Sequence, residues 1–237
     1  MNSAASELCR WHPVFDDRAL QKEAIKTILG SATKAIRERG QFHLVLAGGN
    51  TPRGIYRGLC AAKTNWSAWH IYFGDERCLP IVFSARNSSM AAEIWLDCVP
   101  IPPFQVHTIP GEMGALKAAR MYSETLQAVG DFDLVLLGLG EDGHTASLFP
   151  DHEWGLEHGS PDALAVFNAP KPPSQRVSMS AARLSRARQV VFIVSGRSKH
   201  RAVANWRSNK DIPARAIVPA AGVDVLVESA LLTPLAF

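Results

Sequence analysis

The chain has 237 residues, 47% of them hydrophobic and 20% charged, and its 25 basic against 22 acidic side chains leave a formal charge of +3. Those proportions argue against disorder, a collagen-like repeat and a coiled coil. The charge is too small for a nucleic-acid or membrane footprint, although it leaves room for a local cationic pocket.

Residues 17–39 set apolar side chains at helical spacing, with Ala19, Ile25, Ile28 and Leu29 on one side, and predict an opening amphipathic helix weakened at Gly30 and Ser31. FHLVLAGG and the following TPRGIYRGLCAA read as strand, glycine turn and helix, with Thr51 as N-cap and Pro52 at the first helical position. WHIYFGDER repeats the theme, a strand through Phe73 that ends in a glycine and charges. Residues 87–97 and 114–128 predict helices, with a short extended piece around VHTIP between them. DFDLVLLGLGEDGHTASLF is the clearest strand, apolar on consecutive positions as a strand covered on both faces must be. Residues 150–175 are proline-rich and irregular around a strand ALAVF. RVSMSAARL and QVVFIVSGRSKHRAVANW add two strands and a helix, and AAGVDVLVESALL a last strand and a short end helix.

Apolar strands alternating with helices imply one α/β domain over residues 1–237, a mostly parallel sheet with helices on both faces. In such sheets ligands collect at the carboxyl ends of the strands, where strand order reverses. Four strand ends carry suitable chemistry. Gly48-Gly49-Asn50-Thr51-Pro52 lets the backbone approach a ligand and turns a helix start, with its free N–H groups, toward it. Asp75-Glu76-Arg77 places three charges at the mouth of the sheet, where they are solvated, mutually paired or facing a ligand.

Gly138-Leu139-Gly140-Glu141-Asp142-Gly143-His144 is formally a G-x-G-x-x-G run, but Pro150 follows at once and two carboxylates sit inside the loop, so a dinucleotide site is rejected. What remains is a turn delivering Asp142 and His144 together, a proton acceptor with a carboxylate beside it. In Ser195-Gly196-Arg197-Ser198-Lys199-His200-Arg201, cations oppose the dipole of the helix they open, a cost that an anionic ligand would offset. Arg176 is a further anion contact, whereas Arg183, Arg186 and Arg188 read as surface.

Cys9, Cys60, Cys78 and Cys98 are far apart and read as free, mostly buried thiols in a reducing compartment. Asp151, His152, Glu153 and His158 lack regular ligand spacing, so no metal site is assigned. Charges throughout the first twenty residues leave no apolar signal region, and no apolar run is long enough to cross a bilayer. A cytoplasmic protein, monomeric or weakly dimeric, is expected.

Together LAGGNTPRGIYRGL, YFGDERCLP followed by Arg86-Asn87, DLVLLGLGEDGHTASLFP and VFIVSGRSKHRAV resemble the lactonases of the glucosamine-6-phosphate isomerase/6-phosphogluconolactonase family, in the family's order and over most of the chain. The resemblance implies a Rossmann-like fold and hydrolysis of 6-phospho-D-glucono-1,5-lactone in the pentose phosphate pathway, with neither metal nor organic cofactor. One departure is Asn50, where the family turn usually carries serine; the backbone donors are unaffected, but a hydroxyl contact to phosphate is lost.

On this reading Gly48, Gly49, Asn50, Thr51, Arg176 and Lys199 bind the phosphate. His144 takes the proton of the attacking water, and Asp142 orients the ring or holds a sugar hydroxyl. Arg77 stabilises an oxyanion or binds substrate oxygen, and Asp75 binds hydroxyls or shares in base catalysis. Two alternatives stand beside it: a sugar-phosphate deaminase or isomerase, whose turn carries a second carboxylate where this chain has Phe149, and a catalytically silent sugar-phosphate-binding protein.

Overall fold

The computed structural model describes residues 8–157 and 159–233. It opens with a strand the sequence did not announce, β1 (Cys9–Val14). β1 lies at an edge of the sheet, so it is only partly buried and lacks an apolar run, and Pro13 is tolerated there.

The helix α1 (Asp17–Arg39) runs unbroken through Gly30 and Ser31, where weakening was expected. The Asp16 carboxylate accepts from the Ala19 N–H at 2.8 Å to cap its start, and Gly40, at φ 78, closes its end in the left-handed conformation. Its buried stripe is Leu20, Ala24, Ile28, Ala32 and Ala35, rotated from the predicted one. The alanines allow close approach to the sheet, and Ile25 turns sideways to fill the space above Gly58.

β2 (Phe42–Leu46), α2 (Asn50–Leu59), β3 (Trp69–Phe73), β4 (Asp75–Arg77), α3 (Asn87–Ile94), β5 (Val106–His107), α4 (Ala115–Gln127) and β6 (Leu134–Gly138) follow. The second half contains β7 (Ala163–Val166), β8 (Arg176–Met179), α5 (Ala181–Ser185), β9 (Val190–Val194), α6 (His200–Arg207) and β10 (Val223–Glu228). Seven strands form one sheet in the order β1-β10-β9-β6-β2-β3-β5, every pair parallel. The central strands β6 and β9 are buried on consecutive residues, and each such Val or Leu contributes about 1.5–3 kcal/mol of apolar burial. This is the Rossmann-like α/β arrangement. The chain works outward from β2 through β3 to β5, then returns to lay β6 on β2's other side, so strand order reverses between β2 and β6.

A second sheet, β4-β8-β7, is antiparallel. The charges Asp75-Glu76-Arg77, expected only as a cluster at the mouth of the sheet, are themselves a strand, paired with β8 a hundred residues later. The Tyr122 hydroxyl of α4 donates to the Phe73 carbonyl and accepts from its N–H, tying β3 to the helix beside the small sheet. Arg183, expected at the surface, is a correction. It is wholly buried, its guanidinium 3.8 Å from the centroid of Phe132, with Nη2 donating to the Val129 and Gly130 carbonyls. Arg186 and Arg188 are exposed at the surface as expected. The cysteines are free but not mostly buried: Cys9, Cys60 and Cys78 are partly exposed and Cys98 is exposed. No helix among the described residues is long and apolar enough to cross a membrane.

Candidate active site at the strand-order reversal

A cavity of about 320 Å³ opens where β2 and β6 end. Its wall brings together Gly48, Gly49, Asp75, Arg77, His144, Arg176 and Lys199. Asn50 and Thr51 face an adjoining hollow that shares Gly48, Gly49 and Lys199 with the first. Asp142 lies behind the wall and reaches the cavity through His144.

The glycine turn differs from the expected cap. Gly49, at φ 103, is itself the N-cap of α2, and no side chain caps the helix. A positive φ favours glycine there, and it starts the helix two residues before Pro52. The helix start is therefore left with backbone donors and a positive dipole facing the hollow. The Tyr56 hydroxyl holds the preceding Ala47 carbonyl at 2.8 Å. Gly48 is bare for another reason: a β-carbon there would meet Oδ1 of Asn87 at 2.2 Å.

After β6 the chain folds back on itself, with the Gly140 N–H donating to the His144 carbonyl at 2.7 Å and the Gly143 N–H to the Gly140 carbonyl at 3.1 Å. His144 Nδ1 lies 2.5 Å from Oδ1 of Asp142, which also accepts from the His144 N–H at 3.1 Å. Burial pushes the Asp142 carboxyl up, but the hydrogen bonds from His144 outweigh it and hold the group at about 2. A permanently ionised acceptor on Nδ1 keeps the proton there and leaves the lone pair on Nε2. Gly140 makes room for the ring, since a β-carbon would sit 2.0 Å from Nδ1. Phe149, wholly buried, packs on the imidazole at 4.7 Å between centroids.

Asp75 is buried and held on both oxygens, by Ser147 Oγ at 2.5 Å and by Asn87 Nδ2 at 2.9 Å. Glu76 points away, fully buried, and accepts from the N–H groups of Asn87 and Ser88 at 2.7 and 2.8 Å, so it caps α3 from across the chain. Arg77 and Arg176 are direct partners across β4 and β8, both lining the cavity. Like charges so placed repel unless an anion lies between them. Arg77 Nη1 donates to the Ala85 carbonyl, while its Nε is buried without a partner. Arg176 spends three bonds on the carbonyls of Lys171, Pro172 and Pro173, and burial lowers its pKa, opposed by Asp75 and aided by Arg77.

Lys199 sits at the N-cap of α6 in a loop fixed by Ser195 Oγ and the Gly196 N–H, both of which donate to Glu228. Burial lowers the Lys199 pKa, with Glu141 and Asp142 opposing and Lys171 adding to the effect. Three contributors were missed: Lys171 on the cavity wall, and Asn87 and Ser147 on Asp75. Arg86-Asn87 was noticed only as part of a motif, and a lysine in a proline-rich loop carries no pattern. Of the loop set aside as metal-free, His152 is engaged by the Pro150 and Phe167 carbonyls at 3.0 and 3.1 Å, and His158 lies outside the described residues.

Residues 16–226 match the family described as glucosamine-6-phosphate isomerases/6-phosphogluconolactonase. The chain belongs to this family. It is 36% identical over 219 residues to a 6-phosphogluconolactonase from Synechocystis, covering 87% of this chain and 90% of that one. A Mycobacterium leprae 6-phosphogluconolactonase is 34% identical, covering 87% and 88%. Among solved structures, 6-phosphogluconolactonase from Thermotoga maritima superposes with a TM-score of 0.86 at 25% identity, over 93% of this chain and all of that one. The Trypanosoma brucei 6-phosphogluconolactonase gives 0.85, also at 25%, over 96% and 98%. A monomeric glucosamine-6-phosphate deaminase shares the fold, with a TM-score of 0.79 at 20% identity over 94% and 97%.

Proposed function

We propose that the protein hydrolyses 6-phospho-D-glucono-1,5-lactone to 6-phospho-D-gluconate, the lactone-opening step of the pentose phosphate pathway. The observation that carries this reading is the 2.5 Å Asp142–His144 contact at the wall of a cavity otherwise rich in cations. Nε2 of His144 takes a proton as water attacks the ester carbonyl, and the imidazolium returns it to the ring oxygen as the C–O bond breaks. Asp142 stabilises the imidazolium and keeps the tautomer. An activated ester needs no covalent nucleophile. Arg77, with a buried and unpartnered Nε, receives the charge that develops on the carbonyl oxygen.

The free N–H groups at Gly49–Thr51, Lys199 and Arg176 hold the phosphate. Asn50 contributes its backbone rather than a hydroxyl. Asp75, fixed on both oxygens, suits a stationary acceptor for sugar hydroxyls better than a mobile base. A deaminase would need a second acid beside the imidazole, and Phe149 cannot transfer a proton. The same reading makes the chain one cytoplasmic domain acting on a freely diffusing sugar phosphate. The test is 6-phosphogluconate formation from freshly made lactone, set against ammonia release from glucosamine 6-phosphate. Ammonia release with no acceleration of lactone opening would overturn the proposal.

A further inference from the structure

Far from the cavity, two of the four cysteines converge. Cys60 is the residue that ends α2, and its Sγ donates to the Ile94 carbonyl at 3.2 Å, at the last turn of α3. Four residues beyond Ile94, Cys98 closes a single 3₁₀ turn (Leu96–Cys98), its N–H bonded to the Trp95 carbonyl at 2.9 Å. Both cysteines are therefore hung on the same turn of backbone, with Cys98 near enough to act on the Cys60 thiol. Cys98 is exposed and Cys60 partly so, which leaves the pair open to reagents from solvent.

We propose that Cys60 and Cys98 form a reversible dithiol site, oxidised to an intramolecular disulfide by low-molecular-weight disulfides such as oxidised glutathione. The exposed Cys98 thiolate attacks one glutathione sulfur, breaking its S–S bond and expelling the first glutathione thiolate. Cys60 then attacks Cys98 Sγ in the mixed disulfide and expels the second. The two protons lost by the cysteines end on two glutathione thiols, one glutathione disulfide is reduced, and one protein disulfide is formed. Cys60 is suited to the second step. It is the less accessible sulfur, and burial and the neighbouring Cys98 raise its pKa, so it stays a thiol until its partner sulfur is delivered to it.

The placement has a consequence for what oxidation does. The bond joins the C-terminal ends of α2 and α3, whose opposite ends carry the phosphate-facing turn and Asn87. A ten-residue helix spans about 15 Å, so the crosslink stands well away from the reacting atoms. It braces the two helices without entering the cavity. Oxidised protein should keep its lactonase kcat while its thermal midpoint rises by about 5–10 °C.

The test uses the whole, folded chain. After incubation with oxidised glutathione, thiols are counted under denaturing conditions and the protein is digested without reduction. The expected result is loss of two titratable thiols, a Cys60–Cys98 peptide pair, and restoration of both thiols by dithiothreitol. Cys60→Ser should stop at glutathione bound to Cys98, and Cys98→Ser should form no internal bond. Four thiols still titrating after oxidation would overturn the proposal. So would a bond involving Cys9 or Cys78, or a wild-type protein that stops at the mixed disulfide. The wild-type peptide map decides the matter even if a variant folds poorly.

Discussion

The contact between His144 Nδ1 and Asp142 determines which ring nitrogen meets the substrate. His144→Ala should lower kcat by about 10²–10⁴, with little change in KM because the phosphate contacts stand on other strand ends. Initial rates need spontaneous opening subtracted, since hydroxide accelerates it at high pH. A near-normal kcat in that variant, with Asp75→Asn inactive, would transfer the base role to Asp75. The pH dependence follows from Asp142, lowered from an ordinary 3.8 to about 2. Between those values the unfolded chain binds a proton that the folded one refuses, so the stability contributed by this pair is complete above 3.8 and lost as pH falls toward 2. Asp142 is thus charged throughout any workable assay range. An acid limb in kcat/KM therefore does not come from Asp142. At the other end of the site, Lys199→Ala should raise KM by roughly tenfold to a hundredfold, the worth of a charge-assisted contact. Equal kcat/KM for lactones with and without the phosphate would remove the phosphate site.

The turn between β6 and Phe149 positions the imidazole through what it leaves out. Gly140→Ala puts a methyl group 2.0 Å from Nδ1 and must expel the ring from its seat. Gly140 does not need a positive φ, so the backbone should tolerate the change. The expected outcome is a kcat loss approaching that of His144→Ala with a nearly unchanged urea midpoint; a wild-type kcat would mean the ring has a second productive position. This turn was legible in the sequence because an apolar run, a glycine pair and a histidine fall within a few residues. β4 was not. Asp-Glu-Arg has no strand character alone, and its conformation comes from β8, a distant segment that supplies the ladder. Arg183 escaped for the same reason, since its burial depends on the Phe132 ring and two carbonyls some fifty residues away. The glycine turn before α2 is legible as a turn but is capped by Gly49 rather than Thr51, because Gly49's φ is invisible in a glycine pair.

Across β2, β3 and β5, one sheet face carries an imidazole row. His43 stacks on His70 at 4.8 Å and Tyr72 on His107 at 4.4 Å, and His43 Nδ1 lies 3.2 Å from the Tyr72 hydroxyl. Burial, helped by the charge of neighbouring His70, drops His43 from 6.5 to about 4; Asp133 opposes this, while His107 and Arg183 add to it. Burial lowers His70 and His107 too. Above 6.5 neither state of the chain protonates these rings. As pH falls from 6.5 toward 4 the unfolded chain gains protons that the folded one does not, so the folded state loses stability over that window. Urea midpoints should fall between pH 7 and pH 4.5, and His43→Phe, which keeps a stacked ring without a proton site, should flatten the fall. Identical slopes in the two proteins would contradict this assignment.

The opposed Arg77 and Arg176 have an effect that reaches past catalysis. Two cationic residues paired across β4 and β8 and lining one cavity concentrate positive charge there, so a multivalent anion that enters only the folded state acts as a thermodynamic brace. Saturation to about a hundred times the dissociation constant would add about 2.7 kcal/mol to unfolding. Sulfate or inorganic phosphate should therefore raise the melting temperature more than chloride at matched ionic strength. Arg176→Met should gain less from sulfate than wild type does, because one of the two opposed cations is gone; an undiminished sulfate response would place the anion elsewhere.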